Sequence, residues 1–354
     1  MTLPFSAALD VAYTGQHSFG FPQATNLNAI DFGTAFLPSG QDPTQTSPTP
    51  GAASIAALNP DLARYYRGFS TISMQQAIQD RTYHSLQISL NRRLRNGIAF
   101  GFADTIGLYD RQSVALRLQH NPDGSVTVRS DQAKAEDLLG DNNPQAHIMR
   151  ANFIWQLPRL AASGGAMAVV AQVVNDWSVS GIWTGATASA YAVSSTYQGF
   201  GNVNITGSPD YAPRVRVIGD PGSGCSSDPY RQFNTAAFQG PLVGSDGLES
   251  GNDYLKGCFI SQMDLSIART FRLGGARSLQ LRLDMFNAFN QAGITNRNTQ
   301  LQLNTPTDQT PRNLPFDANG NLIPSLSLPR GAGFGVATGY QDPRTLQLQL
   351  RFQF

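Results

Sequence analysis

The chain has 354 residues, 41% of them apolar and only 14% charged, with a net charge of +1. Soluble domains usually carry roughly 25% charged residues, yet a mean hydropathy of −0.23 leaves no room for a greasy helical membrane protein. Near-neutral charge, with Lys134 and Lys256 as the two lysines, gives no reason to expect nucleic acid or an acidic partner.

The class that combines few charges with modest hydropathy is the transmembrane β-barrel, because only alternate side chains meet lipid. The longest apolar stretch, 166–174, already contains Gln172 and falls far short of the roughly 20 residues a spanning helix needs. After Met1 the chain reads Thr-Leu-Pro-Phe, with no basic leader and no long apolar segment. For an outer-membrane protein this start implies a fragment, or a true start further upstream.

In chain order, the first alternating segment is 5–13, with Ala7, Leu9 and Val11 on one face. A second covers 85–94, through Leu86, Ile88 and Leu90. The third, 98–108, aligns Phe100, Phe102, Ile106 and Leu108, with Asp104 breaking the face. Residues 112–128 predict an extra hairpin turning at Asn121-Pro-Asp-Gly124. Segment 147–157 alternates Met149, Ala151, Phe153 and Trp155 with Arg150, Asn152 and Gln156. The run 161–174 is expected to form a short periplasmic helix, a plain strand being the alternative. Segment 177–183 follows, with Val179 on one face. Segment 262–271 places Leu265, Ile267 and Phe271 together, with Arg269 able to snorkel near one end. Segment 278–290 sets Leu279, Leu281, Leu283 and Met285 against Gln280, Arg282 and Asp284.

The tail, 344–354, alternates most strictly: Leu346, Leu348, Leu350, Phe352 and Phe354 against polar neighbours. A terminal strand that ends the chain on an aromatic residue resembles the signature read by the outer-membrane assembly machinery, with Leu350, Phe352 and Phe354 as its residues. These segments give about eight wall strands of roughly 9–12 residues, the length that a tilted membrane strand needs.

The connections decide the class. Links 15–80, 109–146, 186–259 and 291–343 are long and rich in Gly, Pro, Asn, Asp and Ser, whereas 95–96 and 272–277 are tight turns and 158–176 is a modest link. Long and short links in alternation put every long loop at one end, as outer-membrane barrels do with extracellular loops and periplasmic turns. Trp155, Trp177, Trp183, Tyr83 and Tyr13 are expected near strand ends, at the membrane interfaces; core packing is the alternative for each. Arg282, Asp284, Asp264 and Gln280 are expected to face a lumen or a plug.

Cys225 and Cys258 flank a loop-like segment. In an oxidising envelope they are expected to pair, closing about 33 residues and stabilising by roughly 3–4 kcal/mol; two free thiols are the alternative. No enzyme motif is present: no Gly-x-Ser-x-Gly, no His-Glu-x-x-His and no phosphate loop. His17, His84, His120 and His147 are isolated in sequence, so no catalysis, cofactor or metal is expected. His84 and Ser85, as strand neighbours, point to opposite faces and make no direct nucleophile–base pair. Asp220 to Asp228 offers oxygen ligands for calcium, but an ordinary surface turn is the better reading.

Several stretches resemble the C-terminal barrel of Oar-like TonB-dependent outer-membrane transporters, whose relatives often carry a carboxypeptidase-regulatory-like domain. They are Arg81-Thr-Tyr-His-Ser-Leu-Gln87, Asn91-Arg-Arg-Leu-Arg-Asn-Gly97, Asp176-Trp-Ser-Val-Ser-Gly-Ile182, Gln232-Phe-Asn-Thr-Ala-Ala-Phe238 and Arg282-Leu-Asp-Met-Phe-Asn-Ala-Phe-Asn290, then Phe334-Gly-Val, Asp342-Pro-Arg344 and the terminal strand. The resemblance implies a barrel of about 22 strands around a plug, energised through a periplasmic TonB-type coupling protein. The chain would then be all-β: 1–354 as the C-terminal part of an antiparallel barrel, an open fragment without the plug, in the outer membrane. Its partners would be lipid and the barrel-assembly machinery, with the coupler reached only through the missing N-terminal part. Two other functions compete: a free-standing eight-stranded barrel with a structural or adhesive role, and a secreted β-sandwich interaction protein.

Overall fold

The computed structural model describes residues 2–3, 6–44, 58–142, 145–161 and 164–354. Residues 4–5, 45–57, 143–144 and 162–163, which fall inside some of the expected elements and links, lie outside the described residues.

Eight long strands form one antiparallel meander in which every neighbour in sequence is a neighbour in the sheet. They are β1 (Ala7–Asn26), β2 (Ser73–Arg95), β3 (Ile98–Gln112), β4 (His147–Gln156), β5 (Trp177–Ala186), β6 (Ile260–Gly274), β7 (Arg277–Phe286) and β8 (Thr345–Gln353). A two-residue strand, Thr2–Leu3, adds to the outer edge of β1. The sheet is open, since that short strand and β8 are its two ends and are not paired with each other. No described helix is long and apolar enough to cross a membrane.

Register explains why one face is apolar. Leu9 stands opposite Leu90, Leu90 opposite Phe102 and Phe102 opposite Ala151. At the far side, Ile267 faces Leu283, and Leu283 faces Leu348. Because side chains alternate with period two, a one-residue slip in any pair would send a whole apolar row to the polar side. The β2–β3 turn fixes one such register: Asn96 and Gly97 both have positive φ, 53° and 78°, the twist that an Asn-Gly hairpin turn supplies. A Cβ on Gly97 would also meet Gln156 O at 2.5 Å, so the turn sits tightly against the end of β4.

Two expected boundaries are corrected. β1 and β2 run for 20 and 23 residues, far beyond the expected segments 5–13 and 85–94, so much of the expected loop 15–80 is paired sheet. Tyr13 and Tyr83 therefore both lie mid-strand and not at strand ends, Tyr83 on the polar side with Arg81 and Ser85. Trp177 opens β5 and Trp155 lies one residue from the end of β4, as expected, while Trp183 stands further inside β5. The 161–174 run contains a helix, Ala166–Val174, and the expected hairpin is present in shorter form, Leu118–His120 with Val126–Val128.

The buried core is not in the sheet. It lies among the long loops, where Val193, Tyr197, Ile205, Phe233, Leu301 and Phe334 pack together.

Candidate functional site

Two surfaces and a cap make up the site. The apolar face of the sheet is exposed over large areas at Val11, Tyr13, Trp155, Leu346, Leu348 and Leu350. A soluble protein would cover so wide a patch. The other face carries Asp10, Ser89, Asn91, Arg150, Asn152, Thr184, Asp264 and Arg282. On it Arg282 Nε donates to Asp284 Oδ1 at 2.8 Å and to Ser266 Oγ at 3.0 Å. Asp264 Oδ1 accepts from Gln262 Nε2 and from the Asn287 amide, each at 2.9 Å. Arg81 grips Asp110 with two hydrogen bonds of 2.8 and 2.6 Å. Of the expected inward-facing residues, Arg282, Asp284 and Asp264 thus pair with near neighbours, and Gln280 shares their face by register.

That polar face is interrupted by apolar side chains. Ile154, Ile182 and Phe286 belong to it by register, yet are 46%, 57% and 45% exposed. Sequence alternation could not flag them, since each reads as an exception within a polar row.

The long connections all leave the same end of the strands, and their described residues fold into one cap. Ser194–Tyr197 pairs in parallel with Gln300–Leu303, joining the third and fourth loops. Phe233 meets Phe334 and Phe238 edge-on, with centroids 5.0 and 5.6 Å apart. Burial pushes the Tyr197 hydroxyl up to about 12, so it stays protonated and donates to Pro241 O at 2.7 Å. From the first loop, Arg64 reaches Asp210 in the third at 3.0 Å. From the second, His120 Nε2 lies 2.9 Å from Leu27 O, and Asn252 donates to Leu139 O at 2.9 Å. Cys225 and Cys258 are joined by a disulfide, with Cα atoms 5.0 Å apart. Asp220 and Asp228 accept hydrogen bonds from backbone amides two residues on, which is turn chemistry.

The histidines are separated in space as well. His84 Nδ1 lies 2.6 Å from the Tyr13 hydroxyl, and His147 Nδ1 lies 2.9 Å from Asp104 Oδ2. His17 Nδ1 meets Thr82 Oγ1 at 2.9 Å. Ser85 is buried, and its Oγ has no partner among the described residues.

A family model described as "Outer membrane beta barrel domain" matches residues 1–347. The chain belongs to the outer-membrane β-barrel domain family. No curated relative and no solved structure matches it. In an outer-membrane barrel the apolar face meets lipid, the polar face lines the lumen, and the long loops lie outside the cell. Leu350 and Phe352 therefore belong to the lipid face of β8, on the free edge of the sheet. Phe354 follows the strand at 92% exposure.

Proposed function

We propose that the chain is the distal wall of a TonB-dependent outer-membrane transporter for a bulky nutrient, and that it carries out no catalysis itself. The lumen-side exposure of Ile154, Ile182 and Phe286 carries this reading. A water-filled pore has no use for apolar side chains among Asn152, Arg282 and Asp284, whereas a folded plug packed against the wall would cover them. The open edges of the sheet support it too. Eight strands closed on themselves leave an interior filled by side chains, and here the outer strands are not joined. Coupling to a TonB-type protein would reach this wall only through such a plug. Lipid and the barrel-assembly machinery complete the partners.

The test places a photo-cross-linking residue at Ile182 or Phe286 in cells that make the protein from its native gene. A cross-link to a plug segment in the outer membrane is the expected result. Absence of that cross-link, with Ile182→Cys labelled by a water-soluble maleimide as fast as a free thiol, would overturn the proposal. The free-standing barrel would then be the better reading.

A further inference from the structure

Between the loops of the cap lies a cleft of about 450 Å³. Its walls are mostly apolar, with Phe32, Leu116, Leu139, Val193 and Pro213 among them, and two guanidinium groups, Arg117 and Arg214, also line it.

Arg117 is 8% exposed. Its Nη2 donates to the Asp246 carbonyl and lies 3.3 Å from Asp131 Oδ2. That same oxygen is only 2.6 Å from Arg129 Nη2, so one carboxylate serves two cations. Arg117 Nε is buried and has no acceptor among the described residues. Arg214 uses Nη2 on Gly251 O and the Asn252 side chain; Glu249 accepts from its backbone amide at 3.3 Å, but no carboxylate among the described residues forms an ion pair with its guanidinium. Asp210 also lines the cleft, but Arg64 and the Ile30 amide already occupy it. Burial lowers both guanidinium groups from their ordinary range, and the Arg129 charge adds to the effect on Arg117.

The Arg117 guanidinium lies over the Phe32 ring, 4.6 Å from its centroid, and feels the Asp246 charge besides the shared Asp131, yet a buried donor without an acceptor on such a cation is unfavourable until an anion joins it. The chemistry of the walls narrows the anion. An inorganic ion would leave the apolar walls wet, whereas a carboxylate on an apolar body satisfies both halves of the cleft. A guanidinium fork suits the two oxygens of a carboxylate, and the volume falls within the usual range for small-molecule sites.

We propose that the cap binds a small apolar carboxylic acid, its carboxylate at Arg117 with Arg214 as the second cation, and its body against Leu116, Leu139 and Val193. Such binding needs neither a plug nor an energy coupler, so it stands apart from the transport reading.

The test uses the whole protein extracted from outer membranes in detergent, with 1-naphthylacetate followed by its own fluorescence. Saturable binding is expected, with the methyl ester about 10–100-fold weaker because it lacks the charge-assisted contact. Arg117→Gln should remove most of the acid's advantage over the ester. Ala192→Leu, which narrows the cleft without touching either arginine, should weaken the acid and keep the protein a test subject if Arg117→Gln fails to fold. Equal affinity for acid and ester, no saturable binding, or competition by inorganic phosphate at equal affinity would each overturn the proposal.

Discussion

Tyr13 and His84 meet on the outward face of the sheet, the hydroxyl 2.6 Å from Nδ1 and the rings 5.8 Å apart at 14°. Tyr109 lies on the other side of the imidazole, with centroids 5.9 Å apart. At the opposite end Trp177 and Phe271 hold the Arg269 guanidinium at 5.5 and 4.2 Å. Two aromatic clusters at opposite ends of an apolar band mark the two membrane interfaces, where ring bodies and polar tips both find their solvent. Beyond Tyr13 the hairpin of β1 and β2 continues toward Asn26 and Ser73, above the lipid and under the cap.

The two faces should respond differently to charge. Leu281→Arg or Leu348→Arg is expected to cost about 2–4 kcal/mol when the site lies near the bilayer midplane. Gln280→Arg, on the lumen side of the same strand, should cost far less. Refolding into lipid vesicles, read by heat-modifiable mobility, checks this. Equal tolerance at Leu281 and Gln280 would mean that the faces are assigned wrongly.

Losing the bridge should loosen the cap and spare the wall. Cys225 and Cys258 are separated by 33 residues, so replacing both by serine should remove roughly 3–4 kcal/mol on the loop-entropy account. Cys258 also packs with Ile294 and Ala337, which adds a small packing loss. Surface proteolysis of intact cells should cut the third loop faster in the double variant, with the heat-modifiable shift of the barrel unchanged. Identical digestion of both proteins would show that the bridge holds nothing that the cap core does not already hold.

How much of this was legible depends on what surrounds each residue. The strands over 98–108, 147–157 and 344–354 could be read because lipid on one side and lumen on the other impose a period of two. Above the membrane that contrast vanishes: Ser73, Gln75 and Gln76 in β2 meet water or polar cap on both sides, so the sequence of the paired extension of β1 and β2 reads as loop. The cap core was illegible for another reason. Leu301 and Leu303 come to Val193 and Tyr197 from a loop about a hundred residues away, and local periodicity carries no signal for such contacts. Phe233 and Phe334 stood within segments that resemble a family, yet nothing in their neighbours announced a shared core. Arg117 belongs here too, since its missing acceptor exists only once the loops have folded together.

The end of the chain should matter for assembly. Phe354 lies just beyond a strand whose outer edge has no described partner. Its ring stacks on Phe352, with centroids 6.1 Å apart. If the assembly machinery reads this terminal pair, deleting Phe354 or replacing it with aspartate should lower the amount of folded protein in the outer membrane. Heat-modifiable mobility and antibody access to the cap on whole cells measure it. Unchanged values in the deletion would remove the terminal aromatic from the recognition signal.

The two free edges test the reading as a whole. In hydrocarbon each unpaired N–H or C=O costs several kcal/mol, so a wall left open along β8 must meet further strands or close on β1. A cysteine pair at Leu9 and Leu350 distinguishes these outcomes, because a disulfide needs Cα atoms within roughly 7 Å. Leu9→Cys with Leu90→Cys, which are register partners, serves as the positive control and should link. For a segment of a larger wall, the Leu9→Cys/Leu350→Cys pair should stay reduced under the same oxidant. The 354-residue chain, expressed alone and directed to the outer membrane, should then aggregate or be degraded. Should the distant pair link within a monomer, and the chain refold in detergent as a protease-resistant barrel, the strands close by themselves. A plug would have no lumen to fill, and the long loops alone would carry the function.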